Sequence, residues 1–179
     1  MWGYSAGSIQ PNIQSYYSIY SPEGYDPLYP KWYGEFLYMS NSRKLLLRFD
    51  EDTRSNALIA NGYGEKDLRE NPPRLNILNG TNVELILNRK ESATIDYTFD
   101  KNIFEKVYEK DGWDIYLNKN ALPRAFLTTS YDVYSSKEDF EKKFYEGGKI
   151  LFDKDPGVSV TSNSAGKAEI LNYLSNAVT

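Results

Sequence analysis

Acid–base chemistry in this chain would rest on carboxylates, lysine or tyrosine, because its 179 residues include no histidine and no cysteine. Without histidine there is no Ser-His-Asp or Cys-His arrangement, and the commonest zinc ligand is gone. Without cysteine there is no thiol nucleophile, disulfide or thiolate metal site, and the redox compartment is left open. A glycosidase would need two carboxylates facing one cleft about 5–10 Å apart. Asp50, Glu51 and Asp52 are successive, so they point in different directions and read as a solvated turn. Asp153 and Asp155 alternate before Pro156-Gly157 as in the start of a calcium loop, but the twelve-residue pattern and its closing glutamate are missing. Gly62 and Gly64 lack the third glycine of a phosphate cradle and read as a turn. Asn79-Gly80-Thr81 satisfies the glycosylation sequon, a weak signal alone. These residues imply no metal and no cofactor.

Two other features could recognise a ligand. The first forty residues crowd tyrosines and prolines together, and Tyr16, Tyr17, Tyr20 and Trp32 could stack on the apolar faces of sugar rings; the other use of such rings is to cover core. Arg124 follows Pro123 and precedes Ala125-Phe126-Leu127, a full charge at the mouth of an apolar run that reads as a strand. An arginine there must reach solvent or meet a carboxylate or carbonyl.

The elements that would position these groups follow from periodicity. Prolines at 11, 22, 27 and 30 predict loops and extended pieces up to Pro30, and then a short helix over 31–39 with Trp32, Phe36 and Met39 on one stripe. Residues 43–49 read as helical or irregular and 58–64 as a loop. Pro72-Pro73 interrupt what precedes them, residues 74–80 form a short apolar helix or turn, and 83–87 a strand. Residues 92–99 alternate as a strand, and 104–119 form a hairpin about Asp111-Gly112, with Trp113, Ile115 and Leu117 alternating after the turn. The run 125–135 reads as a strand, followed by a helix capped by Ser135 or Ser136 and ended by Gly147-Gly148. Short strands at 149–153 and 157–160 and an alternating stretch at 167–179 complete the pattern. Residues 1–12 show no helix cap or strand alternation, and 169–179 stop in a strand-like run, so both ends read as cut. The fold class expected is α+β, a strand-rich mixed domain with a few short helices, truncated in its C-terminal β-rich part. Its divisions are an aromatic, irregular wrap with a short helix over 1–42, an α+β core over 43–157, and the start of a further β-rich portion over 158–179.

Three stretches carry a resemblance. Gly24-Tyr25-Asp26-Pro27-Leu28, after Pro11-Asn12 and before Tyr33, resembles a segment of the extracytoplasmic C-terminal region of YfhO-type bacterial multi-pass membrane proteins. Residues 75–83 are similar to a second segment of that family, departing at Gly80 and Asn82 where lysine and tyrosine are common. Phe104–Tyr108, Ile115–Asn118 and Asn120–Leu127 are similar to a third, and together the matches span most of 11–127. In that resemblance Gly24, Tyr25, Asp26, Pro27, Pro123 and Arg124 are signature residues of structure. Arg124 would anchor the hairpin or the aromatic wrap, with Asp26 or a backbone carbonyl as partner. The family implies a GT-C-like glycosyltransferase that decorates cell-envelope polymers from a polyprenyl-phosphate sugar. Its catalytic carboxylates would lie near N-terminal membrane helices, so no catalytic residue is transferred to this segment.

The formal net charge of −4 supplies no basic field for a phosphate backbone, so nucleic acid is not an expected partner. No run approaches the ~18 apolar residues of a membrane span. What the resemblance implies for this segment is a non-catalytic accessory domain on the extracytoplasmic face of the cell membrane. Its partners would be the remainder of its own membrane protein and a glycan or glycopolymer acceptor. A free-standing carbohydrate-binding or envelope-adhesion module is the alternative, favoured if Tyr16, Tyr17, Tyr20 and Trp32 face solvent and are coplanar. A carboxylate-dependent glycosidase is a third.

Overall fold

The computed structural model describes residues 1–4, 7, 9–10, 13–25, 29–42, 44–45, 56–59, 67–90, 98–128, 130–157, 168–170, 173–174 and 177–178. Along the chain run β1 (Trp2–Tyr4), α1 (Ile13–Tyr16), β2 (Gly24–Tyr25), α2 (Lys31–Ser42), β3 (Asn56–Ala57), α3 (Asp67–Glu70) and α4 (Pro72–Gly80). They are followed by β4 (Leu85–Arg89), β5 (Phe104–Lys110), β6 (Trp113–Asn118), β7 (Tyr131–Val133), α5 (Lys137–Glu146), β8 (Ile150–Phe152), β9 (Tyr173–Leu174) and β10 (Ala177–Val178). The fold is α+β: a four-stranded mixed sheet in the order β1-β4-β6-β5, small two-stranded pairings, and short helices.

The sheet contains a strand where alternation gave no signal. Trp2–Tyr4 pairs in parallel with Ile86–Asn88, and both aromatic side chains are buried. Three residues are too few to show period two, and a strand buried throughout has no polar face to alternate with. The rings of Trp2 and Tyr4 meet at 6.0 Å, and Tyr4 meets Phe99 at 5.4 Å. Around them the core gathers Leu37 and Met39 from α2, Ile77 and Leu78 from α4, Ile86 from β4, and Tyr116 from β6.

The β5–β6 hairpin turns at Asp111 and Gly112, both at positive φ (51° and 80°), the backbone that matches the twist of the flanking strands. The face of β6 that it buries is the reverse of the one hydrophobicity suggests. Asp114, Tyr116 and Asn118 are buried, whereas Trp113, Ile115 and Leu117 are half-exposed. Each inward residue has a specific partner. Tyr116 stacks on Phe99 with centroids 3.8 Å apart. Asn118 donates its amide to Asn79 Oδ1 (2.8 Å) and the Val83 carbonyl (3.1 Å). Asp114 faces Lys90 (3.4 Å) and Lys106 (3.5 Å). Both contacts are at ion-pair distance but outside regular hydrogen-bond geometry.

Local chemistry explains the helix ends. Pro72 and Pro73 open α4 instead of merely stopping what precedes them, since the first helical turn needs no N–H from them. Asn71 caps α4 by accepting from Arg74 N at 3.2 Å. The buried Arg74 guanidinium and the Asn71 amide both donate to the Ser40 carbonyl at 3.0 Å, tying α4 to the end of α2. In α5, Ser136 Oγ accepts from Asp139 N (3.2 Å) while Asp139 accepts from Ser135 N (2.9 Å), a reciprocal cap. Gly147, at φ 71°, ends the helix.

Elsewhere the structure departs from the pattern. The run 125–135 is a strand only over Tyr131–Val133, so Pro123-Arg124 precede irregular backbone and not a strand. The apolar stripe of α2 is also displaced: Trp32 is exposed and Phe36 half-buried, and the buried side runs through Gly34, Leu37, Met39 and Ser40. Of the predicted strand 92–99, only Thr98 and Phe99 are described, and they lie in a turn. The readings at 46–55, 60–66 and 158–167 lie outside the described residues.

Candidate functional site

The start of α2 is the point where the aromatic leader meets the rest of the fold, and grooves open on both sides of it. On one side, Tyr20, Pro22, Tyr33, Thr81, Asn82 and Arg124 line a pocket of about 330 Å³. Arg124 reaches it from the segment after β6. Its guanidinium lies 4.0 Å from the centre of the Tyr20 ring, and its Nε donates to Asn82 Oδ1 at 3.2 Å. Asp26 and Pro27 lie outside the described residues. Gly24 and Tyr25 form β2, paired with Ala57 and Asn56 of β3.

Asn82 organises this pocket, and the sequence reading assigned it no role. It adopts a left-handed backbone (φ 56°) just after α4, and its amide donates to the Leu122 carbonyl at 2.8 Å while its oxygen receives Arg124. The available signal was an asparagine directly behind a helix-ending Gly-Thr, a place where left-handed geometry is common. Behind the pocket, Tyr33 donates its hydroxyl to the Pro22 carbonyl at 2.6 Å, and Glu23 Oε1 accepts from Ile59 N at 3.0 Å. Burial pushes the Glu23 carboxyl up to about 7, against the opposing influence of the Ile59 amide and the nearby Trp2 indole. The Trp2 N–H makes no regular hydrogen bond, so the Ile59 amide is the firm contact. Burial, reinforced by the negative charge of Glu23, also raises the Tyr33 hydroxyl.

On the other side, Trp32, Glu35 and Phe36 of α2 face Tyr134, Lys137 and Phe140 across a groove of about 480 Å³. Glu35 and Lys137 close a 3.3 Å ion pair over it. Among its lining rings Tyr134 meets Phe140 at 5.0 Å, and Phe140 in turn stacks on Phe144 at 5.6 Å. Trp32 and Tyr33 touch edge to face at 5.8 Å, so one helical turn joins the two depressions.

The four aromatic side chains singled out from the sequence are all turned to solvent: Tyr16 is 85% exposed, Tyr17 66%, Tyr20 56% and Trp32 68%. They do not form one plane. Tyr16 and Tyr17 stand at 84° to each other, which breaks a flat platform at its most exposed point. The surface therefore offers separate rings, of which Tyr20 lines one depression and Trp32 the other.

Among the described residues lining these two depressions, the acidic side chain is Glu35, already engaged by Lys137. Asp114, a fully buried carboxylate, is held between two lysines on the sheet and lines neither groove. No gathering of three or more acidic side chains suited to a metal occurs among the described residues, and no helix there is long and apolar enough to cross a membrane. Asn79 of the sequon is half-buried, with its side-chain oxygen bonded to Asn118. No family model, curated protein or solved structure matches this chain.

Proposed function

We propose that this chain is a non-catalytic glycan-recognition domain, the extracytoplasmic accessory part of a polytopic membrane glycosyltransferase acting on cell-envelope polymers. The observation that carries the recognition role is the simultaneous solvent exposure of Tyr16, Tyr17, Tyr20 and Trp32, of which Tyr20 lines the Arg124 pocket and Trp32 the groove on the other side of α2. Sugar rings offer apolar C–H faces that match the rings of tyrosine and tryptophan. Arg124 and Asn82 add donors for hydroxyl or acidic groups of the same polymer. The membrane-enzyme context rests on the resemblance of residues 11–127 to YfhO-type proteins. The rings' exposure equally supports a free-standing carbohydrate-binding module, while the perpendicular Tyr16–Tyr17 pair speaks against the flat platform such a module would use.

Sedimentation of the purified chain with insoluble bacterial cell-wall polymer tests this reading. Binding should be saturable and fall at least about tenfold in a Tyr16→Ala, Tyr17→Ala, Trp32→Ala triple variant, whose side chains carry little of the fold. Unchanged binding in that variant, or no binding by the parent chain, would remove the proposal.

A further inference from the structure

A third groove, with none of the four exposed rings in its lining, lies between α4, the connection after β6, and the turn that ends α5. It encloses about 380 Å³. Three asparagines reach it: Asn76 and Asn79, three residues apart on one face of α4, and Asn120 beyond β6. The amides of Asn76 and Asn79 are oriented by bonds to the fold. Asn118 donates to Asn79 Oδ1 at 2.8 Å, which leaves the Asn79 NH2 as the donor end. Asn76 donates to the Phe144 carbonyl at 2.7 Å, which leaves its oxygen as the acceptor end. Phe126 and Leu127, both exposed, supply an apolar wall, and Lys149 supplies a positive charge.

The opposite wall is bare backbone. Gly147 and Gly148 both hold positive φ (71° and 84°), where a side chain would be strained. A Cβ on Gly147 would also come within 3.0 Å of the Asn76 amide. Ending a helix needs one such glycine, and the second keeps this wall open. Oriented amide donors and acceptors beside an aromatic ring, with a lysine and no acidic side chain among the described lining residues, suit a ring of hydroxyls with an apolar face.

We infer that this groove is a second saccharide subsite, taking one neutral or anionic hexopyranose ring with its C–H face on Phe126 and its hydroxyls on Asn79 and Asn120. The inference rests on the glycan-recognition reading and adds to it a place and a ring charge. Lys149 shares its charge with Asp132 at 3.7 Å, so a uronic acid should bind better than the neutral sugar, though modestly.

The test is 1H–15N NMR of the whole chain titrated separately with glucose, glucuronate and trialanine. Glucose should shift the side-chain NH2 signals of Asn79 and Asn120 and the amides of Gly147 and Gly148, with a Kd on the order of 1–10 mM, and glucuronate should bind a few-fold tighter. Asn120→Ala, an exposed substitution whose backbone spectrum should overlay the parent, should weaken glucose about five- to tenfold. Shifts confined to the Tyr16, Tyr17, Tyr20 and Trp32 region would overturn the subsite and leave glycan recognition standing. No sugar-induced shift anywhere would remove both. Groove shifts with trialanine alone, or equal affinity in Asn120→Ala, would overturn the subsite.

Discussion

Glu23 is the residue whose environment is furthest from its composition. A carboxyl pushed by burial to about 7 binds a proton that the unfolded chain releases near 4.5. Between those values the folded state holds the extra proton, so stability falls as pH rises through the window and levels off above it. The full shift corresponds to at most about 3 kcal/mol, less for a half-buried group. Glu23→Gln should flatten that slope while keeping the acceptor for Ile59 N, as urea unfolding at several pH values would reveal; an unchanged slope would locate the titration elsewhere. Asp114 contributes by ion pairing, because its carboxylate faces Lys90 and Lys106 and links β4, β6 and β5. Glu109 joins the cluster by bonding Lys90, which holds the Glu109 carboxyl low and the Lys90 ammonium high. Asp114→Ala leaves two cations facing an apolar gap, though both lysines reach water. A loss of about 1–3 kcal/mol is expected in chemical denaturation, and a neutral result would show the cluster to be ornamental.

At the scale of elements, sequence signals worked where the chain determines its own geometry. Helix α5 announces itself with Ser136 before an acidic first turn and glycines after it, and the structure uses each of them. Ser136→Ala should therefore cost about 1 kcal/mol, measurable as a lower thermal midpoint; no change would mean that Asp139 alone holds the cap. The Asp111-Gly112 hairpin is legible for the same reason. Elements decided by tertiary partners were read less well. Strand β1 exists because Ile86–Asn88 offers it a ladder more than eighty residues away, and nothing inside Trp2–Tyr4 encodes that. The inverted burial of β6 has the same cause: Phe99, Asn79 and two lysines make Tyr116, Asn118 and Asp114 better inside than their hydrophobicity suggests. Arg124 illustrates both limits. Its need for a partner was visible in the sequence, but the partners described, the Tyr20 ring and the Asn82 oxygen, depend on a left-handed turn formed elsewhere.

For the molecule as a whole, the α+β class was readable from the mixture of helical caps, turn residues and alternation, and the candidate surface was readable in part. The four rings stand out in the sequence, but whether they cover core or face solvent is decided by packing. The grooves between them are products of packing, since Trp32 faces outward only because Gly34, Leu37, Met39 and Ser40 take the buried side of α2. The proposal is that this surface, assembled from rings, amides and the Arg124 guanidinium, holds a polymer and leaves its bonds intact. The most direct measurement of that claim is to incubate the purified chain with cell-wall glycopolymer, following binding by calorimetry and new reducing ends by chemical assay in the same samples. The account predicts saturable heat with no increase in reducing ends. Reducing ends that accumulate with time, and stop when a single Asp or Glu is neutralised, would contradict it.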